Sequence, residues 1–369
     1  MDIDSFSRRI QETLSKKRMF RDLFTPWFIL KNSIRLNYYT LFKKGFAPPV
    51  LHIDIKLTRS CNGNCYFCYS NVIKGNSKEL TTNEWKSFIK SFGKEKKAFY
   101  ITGGEPFLRK DTFKIIKTIK QQGSYCGVVT NGTLLSQKDL KKIIDLGIDN
   151  VVFSLHGTNE THNKILNINN AFEKVTKAIS ELNVLRKKRK KKKPYIMVNY
   201  VINPNVRKEA RQLIRLCSKF GADEIRFAHP SFLYPDELKK HREISKKLYG
   251  SEIISSQYVT KKIGFVFRNR LINRKSRIKV STYPNLSDNE LSRWYSKPFK
   301  TKRKCLHIYT SCFINESGEV YPCHFYPLSM GNIKKEKFED MWNGDNFVKF
   351  RKIVLKSLLP GCSRCCKLF

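Results

Sequence analysis

Between residues 50 and 230 the chain repeats one pattern six times, a short apolar strand followed by a helix. The strands read 50–58, 98–102, 125–130, 150–155, 195–202 and 224–229. The segments between them carry apolar residues at helical spacing, as in Phe172, Val175, Ile179 and Leu182, which form one stripe of a helix. Thr81-Thr82-Asn83-Glu84 reads as a capping box that opens the first of these helices. Alternating βα units of this length imply an α/β fold with a parallel sheet and right-handed crossovers. Six such units make a doubly wound sheet or an incomplete barrel.

At 369 residues the chain has room for a second domain. Residues 1–49 read as a basic leader with Phe20, Phe24, Trp27, Phe28, Tyr38, Tyr39 and Phe42 set among Lys and Arg. That composition suits an amphipathic helix on an anionic membrane surface. The plainer reading is that the same face packs on the barrel exterior. Residues 231–300 are charged and less regular, with helices expected near 236–249 and 287–295 and a strand at 277–281. They read as a connector lining the substrate cleft. Residues 301–369 hold six of the eleven cysteines and read as a compact second domain. The run of eight basic residues from Arg186 to Lys193 reads as an exposed, solvated loop.

The formal charge is +41, which attracts polyanions. A Lys-rich compositional bias spread over a solvated surface explains it equally well. No recognisable RNA-binding module accompanies the charge, so nucleic acid is the weakest of the partner readings. The first residues lack the apolar core of a signal peptide. The most apolar patch, Trp27 to Leu30, is far short of the ~20 residues that cross a bilayer. Clustered cysteines without a secretion signal point to a reducing cytoplasm and to metal ligation, with peripheral membrane attachment through the leader as an option.

Cys61, Cys65 and Cys68 form a CX3CX2C triad directly after the first strand. A [4Fe–4S] cube takes four thiolates as a rule, so three on one loop leave an iron free for another ligand. Zinc is the rival reading, but no second cysteine pair lies nearby in sequence. The ends of the other strands carry Thr102-Gly103-Gly104-Glu105-Pro106, Thr130-Asn131-Gly132-Thr133 and Ser154-Leu155-His156-Gly157, and the fifth strand carries Asn199. Glycines there admit a close ligand, small polar residues offer hydrogen bonds, and strand C-terminal ends are where barrel enzymes place their sites.

These motifs together resemble the radical S-adenosylmethionine (radical SAM) superfamily over roughly 50–230. The resemblance implies a partial (β/α)6 TIM-like barrel in which Cys61, Cys65 and Cys68 hold a [4Fe–4S] cluster that binds S-adenosylmethionine. It further implies that Phe67 packs near the adenine and that Gly103, Gly104 and Glu105 take the methionine amino group. Ser154 and Asn199 would reach the ribose or the carboxylate. Two departures stand out: His156 where many relatives have Asp, and His162-Asn163-Lys164-Ile165-Leu166 where they have an arginine. His156 reads first as a plain surface histidine and second as a residue facing the substrate.

At the C-terminus, Cys305, Gly318-Glu319-Val320-Tyr321-Pro322-Cys323, Gly331-Asn332-Ile333 and Cys362-X2-Cys365 resemble the SPASM and twitch auxiliary-cluster domains. That implies a small α+β domain with one auxiliary [4Fe–4S] cluster on Cys305, Cys323, Cys362 and Cys365, with Cys312 and Cys366 as substitutes. Zinc on the same four thiolates is the alternative. Cys126 and Cys217 read as buried structural thiols. The expected reaction is reductive cleavage of S-adenosylmethionine to a 5′-deoxyadenosyl radical that removes a substrate hydrogen, with flavodoxin or ferredoxin as electron donor. The leading substrate reading is a peptide or protein. A sugar, alcohol or lipid-linked small molecule is the runner-up, and RNA binding or modification comes third.

Overall fold

The computed structural model describes residues 26–71, 78–250, 252, 258–259, 276–295, 301 and 303–368. The leader before Pro26, with Phe20 and Phe24, and much of the connector between 251 and 275 lie outside the described residues. The chain enters through α1 (Pro26–Phe42) and then alternates: β1 (His52–Lys56), α2 (Thr82–Ser91), β2 (Ala98–Thr102), α3 (Thr112–Gln121), β3 (Tyr125–Thr130), α4 (Gln137–Asp145), β4 (Asn150–Ser154), α5 (Asn159–Leu166), α6 (Ala171–Lys188), β5 (Tyr195–Val201), α7 (Val206–Phe220) and β6 (Glu224–Ala228). All six expected strands are present at nearly the expected bounds. So is the capping box of α2, where Thr81 N donates to Glu84 Oε2 at 2.7 Å and Glu84 N to Thr81 Oγ1 at 3.3 Å.

Next come β7 (Phe232–Leu233), α8 (Pro235–Tyr249), β8 (Tyr258–Val259), β9 (Lys279–Tyr283), α9 (Asp288–Trp294), β10 (Ser311–Ile314), β11 (Val320–Tyr321), α10 (Phe338–Trp342) and α11 (Asp345–Lys356). The main sheet runs β11-β10-β1-β2-β3-β4-β5-β6-β9. Every pairing in it is parallel except β10 with β11. The architecture is a partial (β/α)6 TIM-like barrel extended by one strand beyond β6 and by two beyond β1.

That extension joins the C-terminal segment to the barrel. His52, Ile53, Asp54 and Ile55 pair in register with Ser311, Cys312, Phe313 and Ile314, and Leu80 N donates to Glu316 O at 2.7 Å. Ile308, Val320, Trp342 and Phe350 lie in the same buried cluster as Ile53, Phe99 and Val128. Residues 303–368 thus share the barrel's sheet and core.

The two faces of the sheet differ in chemistry, as the period-two alternation of strands requires. Ile53, Ile55, Phe99, Ile101, Val128, Val151 and Phe153 are fully buried in the main apolar cluster, together with Ile115 and Ile119 of α3 and Leu140 and Ile143 of α4. The opposite face carries His52, Asp54, Tyr100, Asn150, Asn199 and Arg226. Gly127, beside Tyr100 in the register, vacates the space its ring occupies: a Cβ there would sit 2.7 Å from Tyr100 Cε1.

The basic run from Arg186 is exposed from Lys187 to Lys192, as expected, but it is not all loop and not all unpaired. It begins inside α6, and Arg186 pairs with Asp223, Arg189 with Asp145, and Lys193 with Asp149 at 2.7 Å.

Candidate active site and auxiliary cluster site

The triad loop leaves β1 alongside the end of β2. Gly104 N donates to Thr58 O at 2.7 Å and Glu105 N to Ser60 O at 2.8 Å. A Cβ on Gly104 would lie 2.1 Å from Ser60 O and 2.8 Å from Arg59 O, so only glycine lets the two segments approach this closely. Other strand ends pin the rest of the loop. Asn131 Nδ2 donates to Asn62 Oδ1 at 2.8 Å, Asn62 Nδ2 to Thr133 Oγ1 at 2.9 Å, and Asn64 N to Leu166 O at 2.8 Å. Tyr69 Oη lies 3.2 Å from Thr102 Oγ1, and Ser70 Oγ donates to Gly103 O at 3.3 Å. The loop that carries Cys61, Cys65 and Cys68 is therefore fastened to β2, β3 and the end of α5.

Burial pushes the Cys61 thiol up and the Cys65 thiol to about 12, with the neighbouring thiols adding to the effect at Cys65. Ligation requires thiolates, so a group bound here must displace those protons.

Glu105 is buried, and burial pushes its carboxyl up to about 7 against the pull of three donors. These are Thr130 Oγ1 at 2.8 Å, Asn131 N at 2.7 Å and Phe107 N at 3.2 Å. The carboxyl braces the β2 and β3 ends against each other. Ser154 and Asn199 sit opposite each other in the β4–β5 register, both partly accessible.

The Phe67 ring lies 5.0 Å from that of His156, edge to face. His156 is not the surface residue its loop position suggested. It is 4% exposed, because α5 folds over it and places His162 Nδ1 3.0 Å from its backbone N–H, while Val201 N donates to its own Nδ1 at 3.2 Å. Reading the sequence missed Asn62 and His162 as well. Asn62 lies inside the triad and looked like spacer. His162 shows its place only when α5 packs.

The second set of cysteines surrounds a cavity. Cys305, Cys323, Cys362 and Cys365 line it together with Phe325, Tyr326 and Phe350. Cys362 N donates to Leu359 O at 2.9 Å and Cys365 N to Cys362 O at 3.1 Å, so Cys362 lies in one tight turn, Pro360–Arg364, and Cys365 caps it. Arg364, fully buried, anchors that turn: both Glu237 oxygens lie 2.6 Å from its Nη1, and its guanidinium is 4.7 Å from the Phe232 ring. The two substitutes expected from sequence lie outside the lining. Cys312 points with Ile53 into the helix-covered layer, whereas the Cys366 thiol lies within hydrogen-bond reach of the Cys365 thiol at the edge of the site.

Burial raises the thiols of Cys305 and Cys362 and takes that of Cys323 to about 12. Four cysteines lining one cavity match the ligand count of a cube, whose thiolates bind separate corners.

Comparison with known proteins agrees with this geometry. Residues 55–217 match the model of the radical SAM superfamily, and residues 305–366 match that of an iron–sulfur cluster-binding domain, SPASM. A probable GTP 3′,8-cyclase of Saccharolobus solfataricus is 31% identical over 228 residues, covering 58% of this chain and 70% of that protein. The chain belongs to the radical SAM superfamily. As a radical SAM protein with a SPASM domain, it takes a [4Fe–4S] cluster that binds S-adenosylmethionine and an auxiliary iron–sulfur cluster. It is also similar to the AdoMet-dependent heme synthase of Methanosarcina barkeri, at 28% identity over 84% of this chain and 86% of that one. Streptococcus suis SuiB, solved with its precursor peptide SuiA, shares the radical SAM fold: TM-score 0.62 and 16% identity, over 94% of this chain and 79% of SuiB.

Proposed function

We propose that this radical SAM enzyme reductively cleaves S-adenosylmethionine and uses the resulting 5′-deoxyadenosyl radical to take a hydrogen atom from a peptide or protein. In this reading Cys61, Cys65 and Cys68 hold the first cluster and Cys305, Cys323, Cys362 and Cys365 the auxiliary one. Gly103 and Gly104 offer backbone atoms to the methionine amino group. Glu105, already braced by Thr130 and Asn131, offers it the remaining acceptor capacity of a carboxylate. Ser154 and Asn199 face the ribose and carboxylate, and Phe67 packs on the adenine with His156 behind it.

One observation carries the reading: the three-thiol loop is hydrogen-bonded to the Gly-Gly-Glu end of β2 and to the Asn131 loop of β3. Electrons would come from a flavodoxin or ferredoxin. The peptide substrate is supported by the fold shared with SuiB. A second reading, a small-molecule substrate, is supported by the similarity to a heme synthase and a GTP cyclase.

Anaerobic reconstitution tests the cluster assignment. About eight irons per chain are expected, two cubes of four. The C61A/C65A/C68A variant should keep about four and form no 5′-deoxyadenosine. Production of 5′-deoxyadenosine by that variant overturns the site. Deuterium transfer into 5′-deoxyadenosine from a labelled peptide supports the peptide reading, and transfer from labelled porphyrin or nucleotide alone replaces it with the second.

A further inference from the structure

Helix α1 presents apolar residues on two sides. Leu36 packs against the core cluster. On the other side Leu30, Ile34 and Tyr38 are exposed, with Leu41 and Phe42 at 71% and 70%. At 3.6 residues per turn, spacings of four, four, three and one keep these five within about a third of the helix circumference. Scattered exposed apolar residues are ordinary, but a contiguous stripe of them on one helix marks a docking surface.

The stripe is held outward by a rigid exit from the helix. A Cβ on Gly45 would meet Val348 O at 2.8 Å, so this segment lies tight against α11. Ala47 N donates to Asn343 Oδ1 at 2.8 Å and Asn343 Nδ2 to Ala47 O at 3.1 Å. Phe46, between them, is exposed and continues the apolar surface past the end of the helix.

Charge selects the occupant. Lys31 falls within the arc of the stripe, Arg35 lies beside it, and Lys43 and Lys44 follow it, all exposed. No Asp or Glu occurs between Asp22 and Asp54. Tyr38 and Phe42 lie ring to ring at 5.7 Å, with Lys43 Nζ 5.5 Å from the Tyr38 ring. An apolar and aromatic stripe with cations beside it and no anion near it in sequence complements an anionic lipid surface. The helix has 17 residues, two of them basic within its span, and no described helix is long and apolar enough to cross a bilayer. It can lie in the interface but not span it. We propose that α1 is a peripheral docking helix that seats the enzyme on anionic membranes through Leu30, Ile34, Tyr38, Leu41 and Phe42.

The test is flotation of the full chain with vesicles of phosphatidylglycerol and phosphatidylcholine, and with phosphatidylcholine alone. Binding to the anionic vesicles only, weakened by high salt, is expected. I34E/L41E should lose at least tenfold in partitioning while keeping the thermal midpoint and the iron content of wild type, and K31E/R35E should lose several-fold. Three results overturn the proposal. One is absence of wild-type binding. Another is binding that appears only after residues 1–25 are removed, which would mean that segment covers the stripe. The third is a wild-type dimer, dispersed by I34E/L41E, with no vesicle binding. None of these depends on turnover, so failure here is distinguishable from failure of the enzymatic reading.

Discussion

Gly104 and Gly103 are neighbours in the same motif with different jobs. A Cβ on Gly103 would come 3.0 Å from Thr58 O, a contact that a few tenths of an ångström of relaxation relieves. On Gly104 it would come 2.1 Å from Ser60 O, a backbone atom one residue before Cys61. Relief there means pushing the triad loop away from β2, which also breaks the Glu105 N to Ser60 O bond. G104A should therefore lose the barrel cluster, falling from about eight irons to about four per chain, and form no 5′-deoxyadenosine. G103A should keep the cluster with a weaker affinity for S-adenosylmethionine. Iron analysis and equilibrium binding check both. The sequence motif alone suggested that these glycines serve the ligand. The structure shows that Gly104 first serves the loop.

At the scale of elements, α5 closes over the end of β4 and buries two histidines as hydrogen-bond acceptors. Burial lowers His156 to about 3 and His162 to about 4. Each uses Nδ1 to accept a backbone N–H, so protonation at that atom would break the bond. The unfolded chain takes up these protons below about 6.5. Folded pKa values below that mean the unfolded state binds more protons between about 3 and 6.5, so stability is lost as pH is lowered through that window. Each histidine contributes at most about 1.4 kcal/mol per pH unit. Urea unfolding of the apo protein at pH 7, 6 and 5 should show a progressive drop, shallower in H162F. Equal slopes in wild type and variant would show that His162 is not held neutral. Neither histidine was legible in the sequence, because their burial depends on where α5 lands. What local chemistry determines was legible: the six strands and the Thr81–Glu84 box. Pairings between distant segments were not. The β1–β10 register joins His52 to Ser311, and Arg364 meets Glu237 across 127 positions, with no periodicity to announce either. The same distance effect hid the ion pairs of Arg186, Arg189 and Lys193, whose aspartates come from other loops.

Across the whole molecule, the barrel, the leader and the cluster-bearing C-terminus meet at Arg351 of α11. Its side chain is fully buried. Nε donates to Ile308 O at 2.9 Å, and Nη1 reaches Gly45 O at 3.3 Å and Asn343 Oδ1 at 3.2 Å. The guanidinium is 4.2 Å from the Trp342 ring and 4.8 Å from that of Phe347, while Trp342 Nε1 donates to Pro48 O at 2.7 Å. None of the three acceptors is a carboxylate, so burial lowers the Arg351 pKa to about 9, and it still carries its charge at pH 7. Bonded to carbonyl oxygens through Nε and Nη1 alone, this buried cation gathers several backbone segments at one point. Ile308 lies three residues past Cys305, and Gly45 lies at the root of α1. R351M keeps the bulk against Trp342 but leaves two backbone carbonyls without their donor. Each orphaned acceptor costs about 1–3 kcal/mol, partly offset because the cation no longer has to be desolvated. The expected net loss is about 2–3 kcal/mol in urea unfolding. Iron should be lost preferentially from the auxiliary site, whose Cys305 depends on the position of Ile308, and R351K should recover part of both. An R351M protein with wild-type stability and full iron content would show that Ile308 and Gly45 are held together by apolar packing alone.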